Sequence, residues 1–260
     1  MQRTNEDFIV ELARSAKFSV AEGYYSLRNR ARVERRSLVG SIAECKVLPV
    51  IAEVKFRSPA EGVLREGGDA ADIARRYQAG GAAAISVLTE PIHFMGKISD
   101  LTRVKKKVSV PVLMKDVVVD PVQVRAADLA GADAILLIMS AFDRGLAEVE
   151  LGEMISLAHS LGLEVLLETH TEAEYDAAAT SETDIIGINN RDMKSLGVSL
   201  DTSRRILSNH RHTKPVVCES GIRTKGQAVA LRKLGADALL IGSALMRSTE
   251  PEAFLRELVG

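Results

Sequence analysis

The sequence predicts an α/β fold, a (β/α)8 TIM barrel carrying an N-terminal helical extension. Three observations lead there. From residue 49 onward, short apolar runs without strict alternation recur at regular spacing, as parallel strands covered on both faces require. Amphipathic stretches of helical length lie between them. Finally, "AGGAAAISV" (79–87), "AGADAILLI" (130–138) and "LGADALLIG" (234–242) repeat one junction. Each reads as a helix end, a glycine at the C-cap, a small-residue turn and a strand. An open doubly wound sheet also alternates strand and helix, but it seldom continues for eight units, and no GxGxxG follows the first strand here.

Taken in order, residues 1–48 form the extension. Phe8, Leu12 and Ala16, with Ile9 and Ala13, recur at helical spacing, and the arginine-rich "RNRARVERR" that follows reads as a solvated helix face. No linker rich in Pro, Gly or Ser separates this segment from the barrel at 49–260, so one domain is expected over 1–260. The strands are expected at "PVIAEVK" (49–55), "AAISVLT" (83–89), "PVLMKD" (111–116) and "AILLIMS" (134–140) in the first half. The second half supplies "EVLLET" (164–169), "IIGINN" (185–190), "PVVCES" (215–220) and "ALLIGS" (238–243). Helices such as "DAADIARRYQAG", "DPVQVRAADLAG" and "TKGQAVALRKLG" connect them.

The bulk numbers narrow the function. The 260 residues suit one α/β barrel, and 46% hydrophobic with 27% charged residues is ordinary for a soluble globular chain. The 34 basic and 35 acidic residues nearly cancel, so no global field recruits nucleic acid or an anionic membrane. No apolar run approaches the ~20 residues of a membrane span, and "MQRTNEDFIV" is not a signal peptide. Cys45 and Cys218 match no metal or redox spacing and read as reduced thiols of a cytoplasmic protein.

In a TIM barrel the active site lies at the C-terminal ends of the strands. Glu53 and Lys55 end strand one, Lys115 strand three and Glu168 strand five. Asn189 and Arg191 end strand six, Glu219 and Ser220 strand seven, Gly242 and Ser243 strand eight. Carboxylates and lysines converging on one mouth suit acid–base chemistry, because burial and neighbouring charges set which of them carry protons. Ser220 with Gly221, and Gly242 with Ser243, each precede a helix and read as a phosphate cradle: glycine admits the anion, serine donates a hydroxyl. Glu168 and His170 share a strand face, but no third ligand at sensible spacing accompanies them, so no metal site is expected. The "HRH" at 210–212 reads as a helix end, and Cys218, on the opposite face from Glu219, as packing.

The strings "EVKFRSP", "LMKD", "GINNRD" and "ESGI", in that order on strands one, three, six and seven, resemble the indole-3-glycerol phosphate synthase family of tryptophan biosynthesis. The resemblance covers nearly the whole chain, the helical extension included. It implies closure of a ring in 1-(2-carboxyphenylamino)-1-deoxyribulose 5-phosphate with loss of carbon dioxide and water, and no cofactor. By the family's pattern Lys115 is the general acid at the ketone. Glu168 stabilises the cationic intermediate or moves a proton, and Glu53 and Lys55 assist decarboxylation and dehydration. Asn189 orients the hydroxyl and Glu219 tunes the lysines. Ser58 and Arg191 bind near the substrate carboxylate, and Pro59, Phe94, Leu136 and Met193 wall the ring. Ser220, Gly221, Gly242 and Ser243 hold the phosphate. Phe56, Ala60, Val117 and Met193 depart from the family's usual residues, which touches ring packing and leaves the charged set intact. The partner implied is a small phosphorylated aromatic molecule, with contact to other tryptophan-pathway enzymes possible. Two rivals share the fold: a phosphoribosyl isomerase, which strand one disfavours by offering Glu53 and Lys55, and a non-catalytic phosphate-binding barrel, for which the acid–base set is superfluous.

Overall fold

The computed structural model describes residues 7–29, 31 and 34–260. The barrel strands are β1 (Val50–Val54), β2 (Ala84–Leu88), β3 (Val112–Lys115), β4 (Ala134–Ile138), β5 (Glu164–Thr169), β6 (Ile185–Asn189), β7 (Val216–Glu219) and β8 (Ala238–Ile241). They close in sequence order, every pairing parallel, with β1 bonded to both β2 and β8. Each falls within a stretch expected from the sequence. Helices α1 (Phe8–Ala21) and α2 (Leu38–Glu44) precede the barrel. Around it run α3 (Ala70–Ala79), α4 (Ile98–Lys105), α5 (Pro121–Ala130), α6 (Met139–Asp143) and α7 (Leu151–Ser160). The circuit closes with α8 (Glu172–Thr180), α9 (Asp201–Asn209), α10 (Lys225–Lys233), α11 (Ser243–Arg247) and α12 (Pro251–Val259).

Local signals fix these boundaries. Asp120 and Thr224 start α5 and α10 with reciprocal caps, each paired with a glutamine three residues on. Gly131 ends α5 in the left-handed region at φ +90°, and Gly81 and Gly235 stand in the same region at the other two repeated junctions. The strands then split their side chains between two cores. Outward residues such as Ile85, Val112, Ile135 and Val165 pack against the helices. Inward residues, Ile51, Ala84, Leu113, Leu136, Leu166, Ile185, Val217 and Leu240, fill the barrel. That alternation leaves the upper inward positions to the polar strand ends.

The extension closes the inner core at both ends. Ile9, Leu12, Ala13 and Ala16 of α1 and Leu38 and Ile42 of α2 belong to the same apolar cluster as the barrel interior. At the mouth, the Phe8 N–H donates to Met193 O at 3.1 Å, Asp7 pairs with Arg144 at 2.6 Å, and the Ser15 hydroxyl and His93 imidazole share a hydrogen bond of 2.9 Å. At the floor, Glu164 at the foot of β5 accepts from the Leu38 and Val39 N–H groups and from the Ser37 hydroxyl.

Between them lies the arginine-rich run, and its described residues are not a solvated helix face. They form an irregular strap along the barrel wall. Arg35 pairs with Asp128, and the Arg36 N–H donates to Asp133 at 2.8 Å while its guanidinium reaches Val108 O at 3.1 Å. The sequence shows charge but not the acidic partners, which come from a distant part of the chain. Arg30, Arg32 and Val33 of this run, and residues 1–6 of the expected extension, lie outside the described residues.

Asp133 does more than hold the strap. It accepts both contacts of the Lys105 ammonium at 2.6 Å and the Val112 N–H at 2.7 Å, with both charged side chains fully buried. Removing one member of such a pair strands a buried charge, which costs about 3–5 kcal/mol. Asp133→Ala is therefore expected to lose stability on that scale in urea unfolding, and a loss below about 1 kcal/mol would show the pair to be dispensable.

Candidate active site

Every residue named from the sequence as catalytic, substrate-binding or phosphate-binding lines one cavity at the C-terminal end of the barrel. The register explains the convergence. Glu168 stands opposite Gly187, and Asn189 opposite Glu219, on adjacent parallel strands. Gly187 is required there: a Cβ would stand 2.5 Å from Glu219 Oε1 and 2.8 Å from Leu166 Cδ2. Its bare Cα makes the room in which the glutamates fit.

Two lysine–carboxylate groupings follow. Lys55 Nζ lies 2.6 Å from Glu53 Oε1, just past the end of β1. Lys115 Nζ donates to Glu168 Oε2 at 3.0 Å and stands 3.6 Å from Glu219 Oε2. Burial opposes the Lys115 charge, but Glu168, Glu219 and Glu53 outweigh it and hold the ammonium well above its ordinary pKa. An apolar wall alone lowers a lysine; here the carboxylates decide.

The two glutamates beside Lys115 diverge. Burial raises the Glu168 carboxyl, yet Lys115, His170 and Asn189 together prevail and keep it ionised, well below the usual carboxylate range. Glu219 is pushed up: burial, reinforced by Glu168 and Glu53, exceeds the attraction of Lys115. Glu219 Oε1 is buried and has no hydrogen-bond partner, which a neutral carboxyl tolerates far better than a carboxylate. One lysine thus sits between an acid held ionised and one pushed toward its neutral form.

His170 completes this arrangement with a carboxylate on each side. Its Nε2 is 3.3 Å from Glu168 Oε1 and its Nδ1 3.5 Å from Glu174 Oε2 at the start of α8. Among the described residues no cluster of three or more His, Cys, Asp or Glu could hold a metal ion. Burial disfavours the imidazolium, but the two glutamates raise its pKa to about 10.

On the far side, Ser220 and Gly221 adopt left-handed backbone, φ +64° and +83°, immediately after β7. A serine held there stores strain of about 1 kcal/mol or more, and Asn190 helps to impose it by donating to the Glu219 and Ser220 carbonyls. Gly242 and Ser243 begin α11 on the neighbouring strand. Arg191 points to the same side, its guanidinium donating to Leu196 O at 2.8 Å and lying 3.5 Å from Glu61. Phe94, Leu136, Met193 and Pro59 line the apolar part of the cavity, and Phe8 and Leu12 of α1 join them.

Several contributors escaped the sequence reading. Asp116, next to Lys115, accepts from Tyr25 of the extension at 3.0 Å and from Thr89, and burial pushes its carboxyl up to about 7. Glu61 and Arg247 stand at the Gly–Ser cradle, joined at 3.1 Å. The "MKD" string and the acidic residue after Pro59 were visible, but their partners lie at long sequence separation. "HRH" is as expected at a helix end: His210 caps α9, its Nδ1 3.0 Å from Ile206 O. Cys45 and Cys218 are both free, and Cys218 is fully buried.

Comparison with known proteins gives one answer. The family described as indole-3-glycerol phosphate synthase matches residues 9–258. A protein of that name from Syntrophobacter fumaroxidans is 40% identical over 246 residues, covering 94% of this chain and 91% of its own length. One from Sulfurimonas denitrificans is 38% identical over 260 residues, covering 99% and 96%. Among solved structures, thiamine phosphate pyrophosphorylase from Pyrococcus furiosus superposes with a TM-score of 0.58 at 19% identity, over 81% of this chain and 93% of that one, a likeness of fold alone.

The His170 pair predicts a pH signature. Its folded pKa of about 10 exceeds the ordinary 6.5, so its stabilisation is complete below pH 6.5 and is lost as pH rises through about 10. His170→Gln is expected to be less stable than the parent at pH 6, with the difference shrinking toward pH 10. A difference constant across that window would place His170 outside the charged network.

Proposed function

The chain belongs to the indole-3-glycerol phosphate synthase family, and is accordingly a carboxy-lyase of tryptophan biosynthesis. On that premise we propose which of its residues carry the chemistry. The aromatic carbon bearing the substrate carboxylate attacks the ketone carbon, and Lys115 delivers a proton to the ketone oxygen. Carbon dioxide then leaves, restoring the aromatic ring. The new hydroxyl departs as water, with Lys55 as the acid, and the adjacent carbon next to the nitrogen gives up a proton to Glu53 as the indole double bond forms. Glu168, ionised, faces the cation that forms during closure, and Asn189 orients the hydroxyl.

The observation that supports this most is the unequal pair around Lys115. Glu168 is held ionised while the Glu219 carboxyl is pushed up, so the two acids beside the ammonium differ in proton affinity. Lys115 thus enters the reaction as a charged donor, while Glu168 stays ready to stabilise positive charge. Ser220, Gly221, Gly242 and Ser243 take the phosphate, and Ser58 binds near the substrate carboxylate. Arg191 faces the phosphate side of the cavity through Glu61, so we place it between the two anions. Pro59, Phe94, Leu136 and Met193 hold the ring away from water. The partner is a small phosphorylated aromatic molecule, and the proteins the chain would meet are other enzymes of tryptophan synthesis, in the cytoplasm. No helix among the described residues is long and apolar enough to cross a membrane.

Incubation with 1-(2-carboxyphenylamino)-1-deoxyribulose 5-phosphate is expected to yield indole fluorescence. Lys115→Ala is expected to reduce kcat by orders of magnitude with substrate binding largely kept. A variant that retains near-normal turnover would transfer the acid role to another group, Lys55 first.

A further inference from the structure

The loop after β1 brings a carboxylate to the place where the proposed reading puts the substrate phosphate. Arg57–Ser58 and Gly62–Val63 pair as a short antiparallel hairpin, with Ser58 opposite Gly62 and Glu61 in the turn. Glu61 Oε1 accepts from the Ser243 hydroxyl at 3.0 Å and lies 3.5 Å from Arg191 Nη2, while Oε2 lies 3.1 Å from Arg247 Nη2. An anion held by one hydroxyl and two guanidinium groups is bound as a phosphate would be. Glu61 also lines the same cavity as Gly221, Gly242 and Ser243.

We propose that Glu61 is an intramolecular stand-in for the substrate phosphate. In the free protein it holds Ser243, Arg191 and Arg247, and it yields them when the phosphate arrives, with Arg247 becoming a phosphate-binding residue. The inference rests on the reading of the Gly–Ser pairs as the phosphate cradle. It follows from charge and exposure. Without an anion, two guanidinium groups that now share the Glu61 carboxylate would be left without it. The carboxylate offsets one of their two charges, yet Arg247 is 52% exposed, so that half of the contact is screened and weakly held. A phosphate carries more charge and more acceptor oxygens than the carboxylate it replaces. The cost falls on affinity: a site occupied by its own side chain binds with an apparent constant reduced by the fraction of time it is open. Glu61 thereby sets how tightly any phosphorylated ligand is held.

The test is calorimetric titration of inorganic phosphate into the full chain, with its inhibition constant against substrate measured in parallel. E61Q is expected to bind phosphate several-fold more tightly than the parent. E61D keeps the charge but is one methylene too short to reach Ser243 and Arg247 together, so it is expected to tighten binding as well. Adding R247Q to E61Q is expected to weaken binding several-fold. Unchanged or weaker binding in E61Q would overturn the proposal. So would an E61D that behaves as the parent, since the effect would then be long-range repulsion, and so would an R247Q without effect on the E61Q background. Should no variant bind phosphate or be inhibited by it, the cradle itself is misplaced. Equal binding by parent and variants removes only the stand-in.

Discussion

Glu53, Glu168 and Glu219 are all at most 3% exposed, and they crowd the mouth of a single barrel. Three carboxylates so placed repel one another and have lost their water, a double penalty that no packing could offset. Lys115 makes the arrangement possible. Its ammonium touches Glu168, stands within 3.6 Å of Glu219 and lowers the proton affinity of both. The site then settles into unequal proton affinities: Glu168 held ionised with help from His170, Glu219 pushed toward the neutral form. What looks like redundancy among acids becomes a division of roles, and a charged ring-closing intermediate would meet an environment already ordered for it.

The scaffold has to keep that mouth from relaxing. The extension supplies the means by running from one end of the barrel to the other. α1 adds Phe8 and Leu12 to the cavity wall, and α2 seals the floor through Glu164. The strap between them is held by Asp128 and Asp133. Tyr25 leaves this strap to donate to Asp116, the residue next to Lys115. A segment outside the barrel thus touches both the apolar lining and the side chain next to the central lysine. In the same way, Asn190 binds the end of β6 to the end of β7 and holds Ser220 in its strained conformation. Function-bearing backbone is fixed by neighbours that do no chemistry.

Opposite the lysines, the same economy of charge recurs with the signs reversed. Arg191 and Arg247 are cations in search of an anion, and Glu61 provides one from the loop after β1. The cationic side of the cavity is therefore partly offset by an internal carboxylate before a ligand enters. Anionic substrate groups exchange one set of ion pairs for another and need not be drawn into a bare cationic field.

Much of this was legible in the sequence, and the reasons are local. Apolar runs gave the strands, amphipathic periods the helices, and the glycine at each repeated junction the turn between them. Because a parallel barrel aims every strand end at one mouth, naming the strands also named Glu53, Lys55, Lys115, Glu168, Asn189 and Glu219 as neighbours. Charge partnership was not legible. "RNRARVERR" reads as a solvated face until Asp128 and Asp133 are seen beside Arg35 and Arg36. Glu168 with His170 reads as an isolated pair on one strand face until Glu174 is found on the histidine's other side. Which lysine or glutamate holds a proton depends on distances of 3 to 4 Å between residues 50 or more positions apart. The sequence by itself determined the fold, the mouth and its residue types, because periodicity and strand order are properties of neighbouring residues. Only the tertiary structure decided the protonation of Glu219, the anchoring of the strap and the placing of Glu61 in the cradle, because burial and charge act through space.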